Sequence, residues 1–404
     1  MSVDCGLFHP SLWILPSVAV WAILGVFVPI CSAWSLGRLA WIVGAIAALG
    51  GAFSLYTLDW PATAWIPDTT EIIATICLDK TGGAFHWLEV RSVQGAGWPS
   101  LPWVAFNAVT NSLYGERVQG LWFGFVLVLI GAAYAHRWGR AAAVAAACAL
   151  ATNAPLLWVG RHFFGLELAV MQVLQLIAVS GMRRSRWWTP VSAFVTALCP
   201  LTYAATMLLT LYPLAAPWRR MVCTYLLAGL MLVPIFVLHR SFNQAPPFVG
   251  AFLGTSSYPG LARDACLDSG HERSLRSLWD AHAGINSSPG APGTQTLSPL
   301  RLASVVLSTW VAPQWTLLGL AGIAPDLVGC GHGRSHRQML VHVPLAMGLA
   351  KLAARLPWVG LPLAAAVFVD GAWQWWEWTQ GAVTVPILVP LSTPACADRR
   401  LPCP

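Results

Sequence analysis

Apolar stretches recur along the chain at about 11–34, 39–58, 118–136, 141–160, 164–181, 188–199 with 201–215, 219–238, 301–324, 338–356 and 358–378. A helix crossing roughly 30 Å of hydrocarbon needs about 20 apolar residues. Val118 to His136 and Ala141 to Gly160 are continuously apolar, not the alternating segments of about 10 residues that an outer-membrane barrel shows. The pattern predicts an all-α polytopic transmembrane helical bundle of about 9–11 spans. It reads as one integral-membrane domain over 1–404, interrupted by two long polar segments, 59–117 and 239–299. The first span is too long for a cleaved signal peptide and lacks its basic leader, so it is counted as a membrane helix.

Composition agrees with the pattern. Of the 404 residues, 57% are hydrophobic and 10% charged, against about 25% charged in an average soluble domain, which excludes an ordinary cytosolic enzyme. The net charge of +7 comes from 23 Lys and Arg concentrated in short turns. That placement fits membrane orientation and argues against a nucleic-acid partner. Trp34, Trp60, Trp138, Trp187, Trp188 and Trp218 fall at predicted helix ends, where an indole lies well at headgroup level. The 10 Cys form no C-x-x-C pair, so neither a zinc site nor a dithiol motif has support.

Arginines mark alternate turns: Arg38, then Arg137 and Arg140, then Arg183, Arg184 and Arg186, then Arg219 and Arg220, then Arg334 and Arg337. The positive-inside rule makes these the cytoplasmic turns. The parity holds only if Trp188 to Ala215 is two half-length helices broken at Cys199-Pro200, because proline lacks the ladder donor and disfavours helix at the residue before it. Both long polar segments then face outward, and they carry 10 of the 16 acidic residues. Chemistry is expected on that face. Asn286 to Pro299 is rich in Gly, Pro and Ser and reads as a loop. No internal repeat is evident.

In Trp65 to Phe85 a Pro-Asp turn precedes an amphipathic helix with Ile72, Ile73 and Ile76 inward. Asp68 suits its N-cap, and Glu71 three residues later completes a capping box. The alternative is that one of these carboxylates takes a proton from an acceptor hydroxyl at the membrane surface. Arg161, His162 and Glu167 lie where one apolar helix emerges and the next begins. Arg and His there snorkel to headgroups, or the planar guanidinium binds phosphate oxygens bidentately. Glu167 sits in an apolar helix turn, where an ionised carboxylate needs a partner, and Arg161 is one candidate if Phe163-Phe164-Gly165 turns. Asp370 is placed more deeply than Glu377, which reaches water among interfacial Trp residues. His332 and His336 have a metal-like spacing, but a Gly-rich basic turn describes them better. Cys77 and Cys266 both fall in outward segments, where an oxidising compartment allows a bridge between them.

One stretch carries a family resemblance. An outer loop with an acidic residue precedes I-A-x-x-x-L-x-x-x-G-G-x-F, and a Pro-rich approach leads to a short helix ending in Tyr114-Gly115. A helix ending R-W-G-R follows, then an Ala-rich helix ending N-A-P, then Arg161 and a carboxylate six residues on. Over roughly Asp59 to Arg220 this resembles the GT-C superfamily, specifically the polyprenyl-phosphate-sugar-dependent transferases related to protein O-mannosyltransferases and lipid A aminoarabinose transferases. The resemblance implies a membrane glycosyltransferase working at the extracytoplasmic surface, with a polyprenyl-phosphate-sugar donor and membrane lipids as partners. Asp68 or Glu71 would be the base, and Arg161, His162 and Glu167 would bind substrate. The expected location is a bacterial inner membrane. No cofactor is called for; a divalent metal ion is left open, with no ligand motif seen. The other readings are a multi-pass transporter, marked by mid-span ionisable pairs and inverted repeats, and a non-catalytic scaffold. Oligomeric state is not legible.

Overall fold

The computed structural model describes residues 18–57, 63–65, 113–160, 166–198, 218–242, 298–328, 335–380 and 387–390, which are almost wholly helical. The first helix, α1 (Val18–Leu36), contains one π-helical turn at Ile23–Phe27. It is followed by α2 (Leu39–Tyr56), α3 (Leu113–His136), α4 (Arg140–Ala151), the short α5 (Ala154–Val159) and α6 (Glu167–Met182). Next come α7 (Trp188–Leu198) and α8 (Trp218–Phe242). The C-terminal half holds α9 (Pro299–Val311), α10 (Pro313–Val328), α11 (Ser335–Arg355) and α12 (Pro357–Gln380). A short antiparallel ribbon pairs β1 (Thr63–Trp65) with β2 (Ile387–Pro390).

Among the described residues, Val18–Leu36, Leu39–Tyr56 and Arg117–His136 are long and apolar enough to cross a membrane. Their surroundings invert the usual inside-outside rule. Phe27, Ile30, Trp34, Trp41 and Leu49 are exposed, while Ser32, Gln119, Gln172, Gln175 and Ser192 are buried. Large apolar surface turned outward with polar groups turned inward is what a lipid solvent favours, because every buried polar group must find a partner inside the protein.

The centre is built from small residues. In α4 the run Arg140–Ala151 buries Ala142, Ala143, Ala145, Ala146, Ala147 and Ala149, and α2, α3, α11 and α12 pack around it. Without bulky side chains helix backbones approach closely. At Gly50 an added Cβ would stand 2.3 Å from the Ala151 carbonyl oxygen, and at Gly120 1.9 Å from that of Gly160.

The helices sort into two ends. At the first, Arg137 donates to Ser180 Oγ at 2.8 Å, and Lys351 Nζ lies 4.4 Å from the Trp138 ring. Arg220 also donates to the Met182 carbonyl there. This basic end gathers the turns with Arg137, Arg140, Arg183, Arg184 and Arg220. At the opposite end, Trp375 Nε1 donates to Thr57 Oγ1 at 2.8 Å, and Thr152 Oγ1 donates to the Phe368 carbonyl at 2.6 Å. Thr57, which precedes the polar segment in sequence, lies there, so we call it the loop end.

The contact between Arg220 and Met182 puts the start of α8 beside the end of α6, as the charge parity requires. Helix α7 is described to Leu198, and the expected break at Cys199-Pro200 lies outside the described residues. One expectation is corrected. The apolar run 301–324 is two helices, α9 and α10, parted at Ala312 (φ −154°, ψ 68°) before Pro313. The Trp315 ring lies 5.4 Å from that of Trp138, so the break sits at the basic end. From there α10 runs back, antiparallel to α11, with Gly319 beside Leu345 and Trp315 beside Gly348. Helix α11 therefore starts, at Ser335, at the loop end and not among the basic turns, where the sequence places it; Arg334 lies outside the described residues. A second boundary also shifts: α3 begins at Leu113, five residues before the apolar run, and Arg117 is buried inside it.

Candidate functional site

Two buried polar centres occupy the loop end. The first joins α3 to α6. Gln119 Nε2 donates to Glu167 Oε1 at 2.5 Å, and both side chains are buried, as is Arg117 one turn from the start of α3. Glu167 opens α6, where the free amides of the first turn favour a negative charge. Gly120 and Gly160 touch backbone to backbone beside this centre, and Leu166 reaches Gly124.

The second centre joins α9, α12 and the α4–α5 turn. Helix α9 carries Ser298, Arg301, Ser304 and Ser308 inward while Leu300, Leu302, Val306, Leu307 and Trp310 face out. Ser298 caps it: its Oγ accepts from the Arg301 N–H at 3.2 Å, and its hydroxyl donates to Asp370 Oδ2. Arg301, 5% exposed, sends its Nε to within 3.8 Å of Asp370 Oδ2 and donates through a terminal nitrogen to the Thr152 carbonyl at 3.4 Å. The side chains of Asn153, Arg301, Ser304 and His342 meet around a cavity of about 20 Å³, room for about one water among polar partners. Asn153 Oδ1 accepts from the Leu156 N–H at 3.2 Å and so starts α5.

Helix α5 connects the two centres: it begins at Asn153 in the second and leads to Gly160 in the first. A fixed guanidinium, the buried Glu167 carboxylate, the half-buried Asp370 carboxylate and several hydroxyl and amide groups thus share one end of the bundle. Chemically the end can hold an ionised carboxylate against a cation and orient a polar ligand by hydrogen bonds. Among the described residues no group of three His, Cys, Asp or Glu side chains is placed to hold a metal ion.

Of the residues expected from the sequence, Glu167 is in the first centre, where Gln119 donates to it. Asp370 is in the second with Arg301. Glu377 is exposed and accepts from Trp373 Nε1 at 2.7 Å, in keeping with its reading as an interfacial carboxylate. Asp68, Glu71, Arg161, His162, Cys77 and Cys266 lie outside the described residues, although Arg161 directly follows Gly160. Sequence reasoning missed Arg117, Gln119, Arg301 and His342. For Arg301 a signal was present: Ser298, Arg301, Ser304 and Ser308 recur at helical spacing and form one polar stripe through an apolar run. No protein-family model matches the chain, and neither a characterised protein nor a solved structure matches it.

Proposed function

We propose that the chain is an integral-membrane glycosyltransferase that moves a sugar from a polyprenyl-phosphate carrier to an acceptor hydroxyl on a lipid, glycan or protein. The observation that carries this reading is the coincidence of the Glu167 and Arg301–Asp370 centres with the end of the bundle where Thr57, Gly160 and Leu166 lie, next in sequence to residues 58–62, 66–112 and 161–165. Those segments hold Asp68, Glu71 and Arg161, and they lie in the stretch that resembles the GT-C transferases. The arginine turns at the other end support the orientation of this reading, in which, by the positive-inside rule, the reacting face is extracytoplasmic in a bacterial inner membrane.

In this reading Asp68 or Glu71 removes the acceptor proton and Arg161 neutralises the phosphate that leaves, roles for which a carboxylate near the nucleophile and a guanidinium near the leaving group are the chemical requirement. Glu167 and His162 line the donor site. The test is release of polyprenyl phosphate from a labelled carrier-linked sugar by the purified, reconstituted protein. Asp68→Asn or Glu71→Gln, whichever removes the base, lowers turnover by about 10²–10⁴, while the other stays active and both fold. Full activity in both, together with Arg161→Ala, overturns the assignment.

A transporter reading has one observation in its favour: the buried polar residues Glu167, Gln172 and Gln175 follow one another along α6. Gln175 Nε2 donates to Ser192 Oγ at 2.8 Å and Thr196 Oγ1 at 3.2 Å, which closes that line against α7. Uptake of labelled solute into proteoliposomes without carrier turnover would put transport first.

A further inference from the structure

At the basic end a cavity of about 940 Å³ lies between α1 and the C-terminal part of α6, with α3 as its floor. Its volume falls within the roughly 300–1,000 Å³ of small-molecule sites. The lining is apolar at Phe27, Ile130, Leu174 and Ile177 and basic at Arg137, Arg183 and Arg184. Arg137 is held in place: its guanidinium donates to Ser180 Oγ and lies 3.7 Å from the centre of the Tyr134 ring and 4.8 Å from that of Trp138. Ser32 and Ser35 add hydroxyls on the α1 side. No carboxylate lines the cavity among the described residues.

We propose that this cavity is a binding site for an anionic phospholipid of the adjoining leaflet, with the headgroup phosphate on the arginines and an acyl chain along the apolar wall. The occupant follows from the two halves of the site. Three guanidiniums without a neighbouring carboxylate select an anion, and guanidinium is the side chain best shaped for phosphate oxygens. An apolar wall of this length would be left wet by inorganic phosphate or a small soluble phosphate, whereas an amphiphile covers both halves at once. The end of the bundle agrees, since basic residues near a bilayer surface attract anionic lipid. The site lies at the opposite end from the polar centres, so the proposal stands whether or not the chain transfers sugars.

The experiment is native mass spectrometry of the full-length, delipidated protein titrated in detergent with phosphatidylglycerol or phosphatidylcholine. The expected result is one tightly retained phosphatidylglycerol, preferred over phosphatidylcholine. Each arginine near an anionic group contributes about fivefold, so Arg137→Gln with Arg183→Gln and Arg184→Gln together lower its retention about a hundredfold. Because Arg137 also ties α3 to α6, a second variant keeps the arginines and fills the cavity: Ala133→Phe abolishes the retained lipid in a protein that remains monodisperse. Arg140→Gln, an exposed arginine at the same end but off the cavity, leaves retention unchanged. Equal retention of the two lipids, unchanged retention in Ala133→Phe, or displacement of the lipid by millimolar inorganic phosphate alone would each overturn the proposal.

Discussion

Replacing Asp370 by Ala strands Arg301 in the bundle. The guanidinium, 5% exposed, would keep only the Thr152 carbonyl at 3.4 Å, and the Ser298 hydroxyl would lose its acceptor. Removing one partner of a buried pair costs about 3–5 kcal/mol. The Asp370 side chain is 19% exposed, so some water reaches the vacated space and the lower figure applies. With an unfolding entropy of about 2.1 cal/mol/K per residue over a chain of this length, about 3 kcal/mol lowers Tm by about 3–4 °C. Arg301→Met is milder, because the remaining carboxylate has that access to water and can also take up a proton. The double variant Arg301→Met with Asp370→Leu removes both charges and is close to neutral, within about 1 kcal/mol, since an apolar pair of similar volume replaces an ion pair without loss. Thermal unfolding of the parent, Asp370→Leu, Arg301→Met and the double variant in one detergent, followed by size-exclusion survival, gives the coupling energy, with Asp370→Ala measured beside them. Additive losses in the double variant, or Arg301→Met as damaging as Asp370→Ala, would refute the pairing as the reason both residues are there.

Three further outcomes follow from the packing. Gly120→Ala, whose Cβ would meet the Gly160 carbonyl oxygen at 1.9 Å, forces α3 away from the end of α5 and costs about 1–3 kcal/mol. Gly44→Ala, with nothing within 4 Å, gains up to about 1 kcal/mol from helix propensity; both are read as Tm in the same detergent. Ser335→Cys at the start of α11 reacts with a membrane-impermeant maleimide in intact cells while Ser185→Cys in the basic turn does not; protection of both, which puts them on one side, would restore α9 and α10 to one span. Trp375→Phe loses the hydrogen bond to Thr57 Oγ1 and lowers stability by about 0.5–1.5 kcal/mol, and Thr57→Val adds little to it in the double variant.

What the sequence reveals is what local chemistry decides. Arg137, Arg140, Arg183, Arg184 and Arg220 read correctly as one end because a charged turn cannot be drawn across hydrocarbon. Pro200 carries a break signal in its own missing donor, and that expected break lies outside the described residues. Pro313 carries the same signal inside 301–324, yet the run stays apolar on both sides, and what turns the chain back is contact between Trp315 and Trp138, far apart in sequence. Glu167 illustrates the same limit. Its cost in an apolar helix is visible, but the residue that donates to it is Gln119, 48 positions earlier, and no periodicity within either helix pairs them. The buried face of α9 was readable as a polar stripe, but only with the bundle interior as the polar side, the reverse of the rule for water-soluble helices.

The polar stripe of α9 also bears on how the protein is made. A 13-residue helix spans about 20 Å, less than the roughly 30 Å of hydrocarbon, and it carries an arginine whose transfer into lipid costs about 2.5–3.5 kcal/mol at the centre of a helix. Its counter-ion is not yet synthesised when it leaves the ribosome: Asp370 follows Ser298 by 72 residues, a delay of about 4–14 s at about 5–20 residues per second. Helix α9 therefore cannot partition on its own and has to wait beside the insertion machinery or its chaperones until α12 arrives. A nascent chain arrested before Asp370 should leave α9 extractable by alkaline carbonate, and one arrested beyond Gln380 should leave it resistant, so that the final helix licenses the membrane entry of one made seconds earlier.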